Sequence, residues 1–179
     1  MREKIRTYVP ALILMIVLIA LDQVTKIIAR NTLTDSSAVV INGVLEFKLI
    51  FNTGVAWGMF GSTPVVISIF AVLIMAVVAF VYIKTPKDNK RLRALRIMLI
   101  LIFSGAAGNI IDRIFMSAVT DFIYFSLIDF PVFNIADCYV TVAGILTAIL
   151  LIFYYKEEDL GFLGFKKKKE DPSDTDIEE

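Results

Sequence analysis

The stretch TPVVISIFAVLIMAVVAFVYI, residues 63–83, contains 21 residues and no charged side chain. A helix of about 20 apolar residues is long enough to cross the ~30 Å hydrocarbon core of a bilayer. The rest of the chain has the same character, since 58% of its 179 residues are hydrophobic and its mean hydropathy is +0.76. This composition is too apolar for a soluble domain of this size and predicts a membrane protein.

Three further stretches are apolar enough to span a membrane, namely Tyr8–Arg30, Ile97–Ile111 and Asp137–Tyr155. The uncharged parts of Tyr8–Arg30 and Ile97–Ile111 are shorter than ~20 residues, so their polar ends should lie at the membrane boundary. The predicted fold class is a mainly α membrane protein with four transmembrane helices and a small extracytoplasmic β-element. We expect residues 1–155 to form one transmembrane domain and residues 156–179 to form a charged, disordered cytoplasmic tail.

The basic residues predict the orientation of these helices. Fourteen of the 18 lysines and arginines lie at the N-terminus, between the second and third helices, or near the C-terminus. By the positive-inside rule, both termini are expected in the cytoplasm, which four spans allow. The extracytoplasmic segments are then residues 31–62 and 112–136, approximately.

Both outer segments have a predicted character of their own. Asn42-Gly43 is a type I′ hairpin signal, and Val44–Leu49 alternates charged and apolar residues as a half-buried strand does. Asn52–Gly61 is expected to re-enter the membrane after that strand. The second segment, Asp112–Asn134, is rich in phenylalanine and should lie at headgroup level.

Seven polar residues are predicted near one depth, at the outer ends of the helices. Polar and ionisable groups at membrane depth are costly and are therefore candidates for function. The seven are Asp22, Asn52, Asn109, Asp112, Asp121, Asn134 and Asp137.

The residue types restrict the chemistry of such a site. The chain has no histidine and one cysteine, Cys138, which argues against Ser-His or Cys-His nucleophiles and the usual zinc sites. Two facing carboxylates can share a proton and activate a water without metal or cofactor. Asp121 and Asp137 are the favoured pair. Asn134 and Asp137 share a helix face at i, i+3 spacing, and Asp121 is expected in a loop that brings it opposite.

The other polar residues have a structural interpretation as well as a functional one. Asp112 beside Arg113, and Asp22 with Lys26 at i, i+4 spacing, are each typical of a structural ion pair. The three asparagines could orient the carboxylates, bind substrate backbone, or satisfy buried polar groups.

Spacing alone leaves two alternatives to an aspartyl dyad. A proton-coupled transporter would also place acids in the membrane, although its relay usually crosses the midplane. A Ser-Lys hydrolase would use Ser104 with Lys26 as a base of lowered pKa.

The sequence resembles the lipoprotein signal peptidases (signal peptidase II), which are bacterial inner-membrane aspartyl proteases with four spans. The resemblance extends from about residue 8 to residue 155. It rests on five ordered motifs: Asp22-Gln23-Val24-Thr25-Lys26, Asn52-Thr53-Gly54-Val55-Ala56-Trp57, Gly105-Ala106-Ala107-Gly108-Asn109-Ile110-Ile111-Asp112-Arg113, Val119-Thr120-Asp121-Phe122 and Phe133-Asn134-Ile135-Ala136-Asp137.

The resemblance implies roles for particular residues. The family's catalytic aspartates match Asp121 and Asp137. Its supporting polar residues match Asp22, Lys26, Asn52, Asn109, Asp112, Arg113 and Asn134. Two positions depart from the family pattern, because Ser104 and Ser117 stand where glycine is usual.

The resemblance also implies a substrate and a location. The substrate is a prolipoprotein whose cysteine carries a diacylglyceryl group, and cleavage falls just before that cysteine. The expected location is the bacterial cytoplasmic membrane, with the active site at its extracytoplasmic face. Cyclic peptide antibiotics of the globomycin type are the implied inhibitors. Membrane lipids are further partners, and we expect a monomer that needs no cofactor and binds no nucleic acid.

Overall fold

The computed structural model describes residues 2–34, 36–54 and 64–164, with side chains described from Tyr8 onward and Pro64 excepted. Four long helices dominate it: α1 (Arg2–Thr32), α2 (Pro64–Lys84), α3 (Arg93–Met116) and α4 (Ile135–Ile149). The chain continues beyond α4 as a wider π-helical turn, Leu150–Tyr154. All four are long and apolar enough to cross a membrane, as predicted. The re-entrant part of Asn52–Gly61 and the tail beyond residue 164 lie outside the described residues.

Helices α1 and α3 are both longer than predicted, and the difference at α3 affects the site. This helix begins at Arg93 and runs past Asp112 to Met116, so its C-terminal part carries Asn109 and Asp112 within regular helix. It ends at Ser117, whose backbone is left-handed with φ 57° and whose N–H donates to the Arg113 carbonyl. The second segment predicted to be extracytoplasmic therefore leaves the helix near residue 117 and not at Asp112.

Helix α3 is the centre of the bundle, since α1, α2 and α4 all pack against it. Its closest neighbour is α4, and glycines allow both α4 and α1 to approach it. A Cβ on Gly105 would lie 2.5 Å from the Ala136 carbonyl oxygen, and a Cβ on Gly108 would collide with the Asp22 carboxylate. Small residues at helix contacts are typical of membrane bundles, where close backbone packing replaces the hydrophobic effect.

A three-stranded antiparallel sheet adjoins the end of the bundle at which α1 and α3 finish. Its strands are β1 (Ala38–Ile41), β2 (Leu45–Asn52) and β3 (Val119–Tyr124), in the order β1-β2-β3. The predicted hairpin forms, but its turn is not type I′. Gly43 has φ 67° whereas Asn42 does not have a positive φ, and type I′ requires positive φ at both central residues.

The sequence did not predict β3, which pairs with β2 so that Asp121 lies opposite Ile50. The expectation that Asp121 lies in a loop was therefore wrong. The segment Val119–Tyr124 is rich in β-branched and aromatic residues, and the free edge of β2 gives it a partner. A strand holds the carboxylate of Asp121 more firmly than a loop would.

The aromatic segment after β3 exposes much of its apolar surface. Leu127 and Ile128 are each 68% exposed, while Phe125 and Phe130 pack on Phe133 with ring centroids 5.8 and 5.7 Å apart. Its placement at headgroup level stays a prediction that this exposure supports.

Candidate active site

Asp121 and Asp137 are placed by two different elements, β3 and α4, that meet at the end of the bundle where the sheet lies. The backbone of Asp121 is fixed by the β2–β3 pairing, and its side chain is buried. Asp137 is the third residue of α4 and forms a capping box with Asn134. Its N–H donates to Asn134 Oδ1 at 3.0 Å, and its Oδ2 accepts from the Asn134 N–H at 3.1 Å. Neither aspartate depends on a flexible side-chain arrangement for its position.

Two asparagines link these carboxylates through a chain of hydrogen bonds. Asn134 Nδ2 donates to Asp121 Oδ1 at 2.6 Å and to Asn109 Oδ1 at 3.2 Å. Asn109 Nδ2 then donates to Asp137 Oδ1 at 2.8 Å. The path Asp121–Asn134–Asn109–Asp137 thus joins the strand to two helices.

Asn52 supplies the second donor to Asp121. Its Nδ2 lies 2.9 Å from Asp121 Oδ2, while its Oδ1 accepts from the Gly54 N–H at 2.8 Å. Each oxygen of Asp121 therefore accepts one side-chain amide. Because the Asn52 oxygen accepts the Gly54 N–H and its nitrogen donates to Asp121, only one orientation of the amide satisfies both partners.

Lys26 is the fully buried cation beneath this network. Its Nζ lies 2.9 Å from Asp22 Oδ2, 3.5 Å from Asp112 Oδ2 and 2.8 Å from Asn109 Oδ1. The Asp22 pair is the one that the i, i+4 spacing predicts. The ammonium also holds the oxygen of Asn109 toward itself, which turns the amide nitrogen toward Asp137.

Asp22 connects α1 to the start of α4. Its Oδ1 accepts the Ala136 N–H at 3.0 Å, so it satisfies a first-turn donor that the capping box leaves free. Gln23 Nε2 donates both to Asp22 Oδ2 and to the Gly108 carbonyl, at 3.1 and 3.0 Å. The position of Asp137 thus depends on α1 as well as on α4.

Asp112 does not pair with its neighbour Arg113, contrary to the sequence interpretation. Its Oδ2 accepts the Thr120 N–H at 2.8 Å, and its cations are Lys26 and, at 3.9 Å, Arg30. Consecutive residues of a helix point about 100° apart, so adjacency in sequence does not create a side-chain pair. Asp112 instead ties α3 to the residue that precedes Asp121.

Arg113 faces the space between α2 and α3. It lines a largely apolar cavity of about 600 Å³. Its Nε is buried without a hydrogen-bond partner among the described residues. Its guanidinium interacts electrostatically with Asp137, Asp121 and Asp112. It is therefore the one predicted supporting residue that stands beside the hydrogen-bonded network and not within it.

The environment of Asp121 favours its protonated form. Burial, with the negative charge of Asp137 adding to it, raises the pKa of Asp121 to about 6 against the opposing effect of the Asn52 and Asn134 amides. A carboxyl with such a pKa holds its proton at mildly acidic pH and can donate it to a substrate.

The structure does not assemble the Ser-Lys alternative. Ser104 Oγ is buried and has no hydrogen-bond partner among the described residues, while Lys26 is bound by carboxylates and an amide. Within the same part of the chain, no group of three or more His, Cys, Asp or Glu side chains is arranged to hold a metal ion.

Sequence reasoning missed three contributors to the site: Gln23, Arg30 and Thr120. Arg30 Nη1 donates to Thr120 Oγ1 at 2.7 Å, and Thr120 is fully buried. One signal was available for the arginine, because Asp22, Lys26 and Arg30 follow one another at four-residue intervals on one face of α1.

Comparison with solved structures defines the class first: the fold is that of a multi-pass membrane enzyme. One structure described as a bacterial membrane enzyme superposes with a TM-score of 0.71 and 32% identity, covering 82% of this chain and 94% of that one. A second of the same description gives a TM-score of 0.69 and 30% identity, over 89% and 93%.

The family follows from the sequence comparisons. The family model for signal peptidase (SPase) II matches residues 14–153, and the chain belongs to this peptidase family. The lipoprotein signal peptidase of Clostridium tetani is 40% identical over 152 residues, which are 82% of this chain and 93% of that protein. That of Fusobacterium nucleatum is 34% identical over 146 residues, or 81% and 87%.

Proposed function

We propose that this protein removes the signal peptide from diacylglyceryl-modified bacterial prolipoproteins, cutting the peptide bond just N-terminal to the lipidated cysteine. Membership of the signal peptidase II family supports the reaction class. The observation that carries the mechanism is the hydrogen-bonded path from Asp121 through Asn134 and Asn109 to Asp137.

In this proposal Asp137 is the general base and Asp121 is the general acid. Asp137 lies in the first turn of α4, where the helix dipole and the Asn134 N–H stabilise its negative charge. Asp121 lies in a strand, and its raised pKa of about 6 favours the proton-holding role. The different environments of the two carboxylates therefore favour the base role for Asp137 and the acid role for Asp121.

Each step then follows from these protonation states. Asp137 takes a proton from water as the water oxygen attacks the scissile carbonyl carbon, and Asp121 donates its proton to the carbonyl oxygen. The resulting tetrahedral diol collapses when protonated Asp137 transfers the proton to the leaving nitrogen and the C–N bond breaks. Asp121 recovers a proton from the diol hydroxyl, which restores the starting state.

The supporting residues position the dyad in this scheme. Lys26 and Asp22 fix the Asn109 amide and the start of α4. Asn52 and Asn134 donate to the two oxygens of Asp121. An acid and a base held on separate elements can act in concert only if both are preorganised, which these contacts provide.

The cavity between α2 and α3 supports a lipid-modified substrate. It is about 600 Å³ in volume and is lined in part by Arg113 beside the dyad. An acyl chain of the substrate would lie in this cavity, with its ester carbonyl near the guanidinium. Its lining comprises Val65, Ser68, Ile69, Val72, Leu73, Ile110, Arg113, Ile114 and Ser117.

The proposed setting is the cytoplasmic membrane, with both termini in the cytoplasm and the aspartates at the extracytoplasmic face. The distribution of basic residues supports this orientation. The chain would act as a monomer among membrane lipids, in a single transmembrane domain of residues 1–155 with a cytoplasmic tail. Cyclic peptides of the globomycin type would inhibit it by occupying the space between the aspartates.

The test is cleavage of a diacylated prolipoprotein by purified protein, with and without globomycin. Asp121→Asn and Asp137→Asn should each lower turnover roughly 10³-fold or more, because each removes one partner of a coupled reaction. The matched control is Asp129→Asn, since Asp129 is in the same outer segment and its side chain has one described partner, the Tyr124 hydroxyl that donates to it.

Asp129→Asn should keep the unfolding temperature of the wild type within a few degrees. The two dyad variants should fold but unfold at a lower temperature, because each dyad aspartate accepts N–H donors on both oxygens and the asparagine NH₂ would face one of them, at a cost of about 1–3 kcal/mol. Full activity in either dyad variant would exclude the dyad. Loss of activity in Asp129→Asn equal to that of the dyad variants would show that the assay does not isolate the proposed site.

A further inference from the structure

Three cations surround a second cavity at the end of the bundle opposite the aspartates. The cavity has a volume of about 460 Å³. Lys87 lies between α2 and α3, and Arg93 and Arg96 belong to the first turn of α3. Asp88 is the one carboxylate in the described lining, so the cavity carries a net positive charge.

Two of these cations have described contacts, and none of the three has an ion pair within the described part of the chain. Lys87 Nζ lies 4.1 Å from the centroid of the Tyr8 ring, and Arg96 Nη1 donates to the Lys87 carbonyl at 3.0 Å. Among the side chains that the structure describes, none of the three cations forms an ion pair within 4.0 Å. Uncompensated cations on preset positions attract an anion from outside the protein.

The basic cavity continues into an apolar groove of about 470 Å³. The two share Ala11, Tyr82 and Ile100, and the groove runs between α1 and α2 over the surface of α3. Along α1 it extends from Tyr8 to Ile19, which is roughly 17 Å of helix. That length is about half of the ~30 Å hydrocarbon core, or the depth of one leaflet.

Charge and shape together indicate the occupant. A phosphodiester would accept hydrogen bonds from the arginine guanidinium groups, which match phosphate geometry, and an acyl chain would fill the groove below. A free phosphate or an acidic peptide would leave the groove empty, whereas an uncharged lipid would leave the cations unpaired. We propose that this is a binding site for one anionic phospholipid, with its phosphate against Lys87, Arg93 and Arg96 and an acyl chain between α1 and α2.

The site is separate from the proposed catalytic centre. Arg96 and Asn109 lie 13 residues apart on α3, which corresponds to roughly 20 Å along the helix. A lipid bound here would join α1 and α2, which both pack on α3. Its expected effect is therefore stabilisation of the bundle in proportion to lipid concentration.

The experiment titrates the purified full chain in a neutral detergent with dioleoyl phosphatidylglycerol or dioleoyl phosphatidylcholine, which have identical acyl chains. The unfolding temperature should rise saturably with phosphatidylglycerol alone. The double variant Lys87→Gln/Arg93→Gln should bind that lipid roughly 30-fold more weakly, since each cation near an anionic headgroup contributes about 5-fold in affinity. The matched control is Lys84→Gln/Lys90→Gln, which removes two exposed cations outside the cavity at the same end.

A second pair of variants tests the groove without changing charge. Ala79→Phe should fill the groove and lower phosphatidylglycerol binding at least 10-fold, whereas Ala76→Phe, on an exposed face of α2, should not. Equal responses to the two lipids, or unchanged binding in Lys87→Gln/Arg93→Gln, would overturn the proposal. The same shift produced by glycerol 3-phosphate would indicate a simple anion site and would also overturn it.

The acidic end of the chain is the remaining competitor for these cations. Deletion of residues 165–179 should leave the phosphatidylglycerol response intact. Two results would instead indicate that the tail pairs with these cations. One is a phosphatidylglycerol response that appears only after the deletion. The other is an unfolding temperature that falls on deletion without lipid, in a protein whose full chain does not respond to phosphatidylglycerol.

Discussion

At the scale of single residues, the asparagines decide how the two carboxylates can be used. The Asn109 oxygen accepts a hydrogen bond from Lys26, and the Asn109 nitrogen donates one to Asp137. The Asn134 nitrogen donates to Asp121. A buried donor or acceptor left without a partner costs about 1–3 kcal/mol, so the alternative amide orientations are disfavoured. The residue that fixes this polarity is Lys26, which lies outside the dyad.

Asp112→Asn should mainly destabilise the protein and leave the chemistry intact. The amide can still accept the Thr120 N–H, but Lys26 loses one of its two carboxylates and Arg30 loses its ion-pair partner. We expect a loss of about 2–3 kcal/mol in unfolding free energy, measured by denaturant or heat, since charges in buried pairs are costly to leave uncompensated. A large fall in turnover with unchanged stability would contradict this structural role.

The titration of Asp121 provides a test that does not depend on mutating the dyad. Its pKa of about 6 in the folded protein lies above the usual 3.8, so the folded state holds a proton that the unfolded state releases. The stability contributed by this group is fully present below pH 4 and is lost as the pH rises through 6. The acid role also predicts an alkaline limb in kcat/KM near pH 6 for the free enzyme.

The measurement is carbon-13 NMR of labelled aspartate alongside the pH profile of kcat/KM. The resonance of Asp121 should titrate near pH 6, and its pKa should fall in Asp137→Asn, because the Asp137 charge contributes to the increase. A resonance that titrates below pH 4.5 in the wild type would show that Asp121 is ionised throughout and is not the acid.

At the scale of elements, the contact of α3 with α1 and α4 determines the geometry of the site. Gly108→Ala should be strongly destabilising, because its Cβ would occupy the space of the Asp22 carboxylate that binds Lys26 and caps α4. We expect a loss of about 2–3 kcal/mol in unfolding free energy, together with lower turnover. The control is Gly144→Ala on α4, whose Cβ would meet nothing within 4 Å.

The control variant should keep or slightly raise stability, since alanine is a better helix former than glycine by up to about 1 kcal/mol. Equal destabilisation by both substitutions would show that the Gly108 contact is not special. Equal tolerance of both would show that Asp22 can move without loss, which would contradict its proposed role in holding α4.

How far the elements follow from sequence depends on whether their signals are local. The four helices were predicted because runs of apolar residues are sufficient to specify a span. Strand β3 was not, because six residues acquire their strand character only by pairing with β2, about 70 residues earlier in the chain. Ser117 differs from both. It adopts the left-handed conformation at the end of α3, which glycine commonly adopts there without a Cβ penalty, so its residue type did not signal the end of the helix.

At the scale of the whole molecule, the orientation in the membrane can be tested by labelling. In a Cys138→Ala background, Lys48→Cys on β2 and Lys90→Cys between α2 and α3 provide one exposed thiol at each end of the bundle. A membrane-impermeant maleimide should label the Lys48→Cys variant in intact cells and the Lys90→Cys variant only after permeabilisation. The reverse pattern would place the aspartates at the cytoplasmic face.

The sequence by itself determined the membrane class, the number of spans and the candidate polar residues, because hydropathy and residue type are local properties. Through its motifs it also indicated the family to which the chain belongs. It predicted contacts within one helix, such as Asp22 with Lys26, but not which polar residues of different elements touch. Only the tertiary structure showed that Asp112 pairs with Lys26 and not with Arg113, and that a strand carries Asp121. It also showed that two amides connect the dyad. These contacts join α1, α3, α4 and the sheet, and their geometry exists only when the elements pack together.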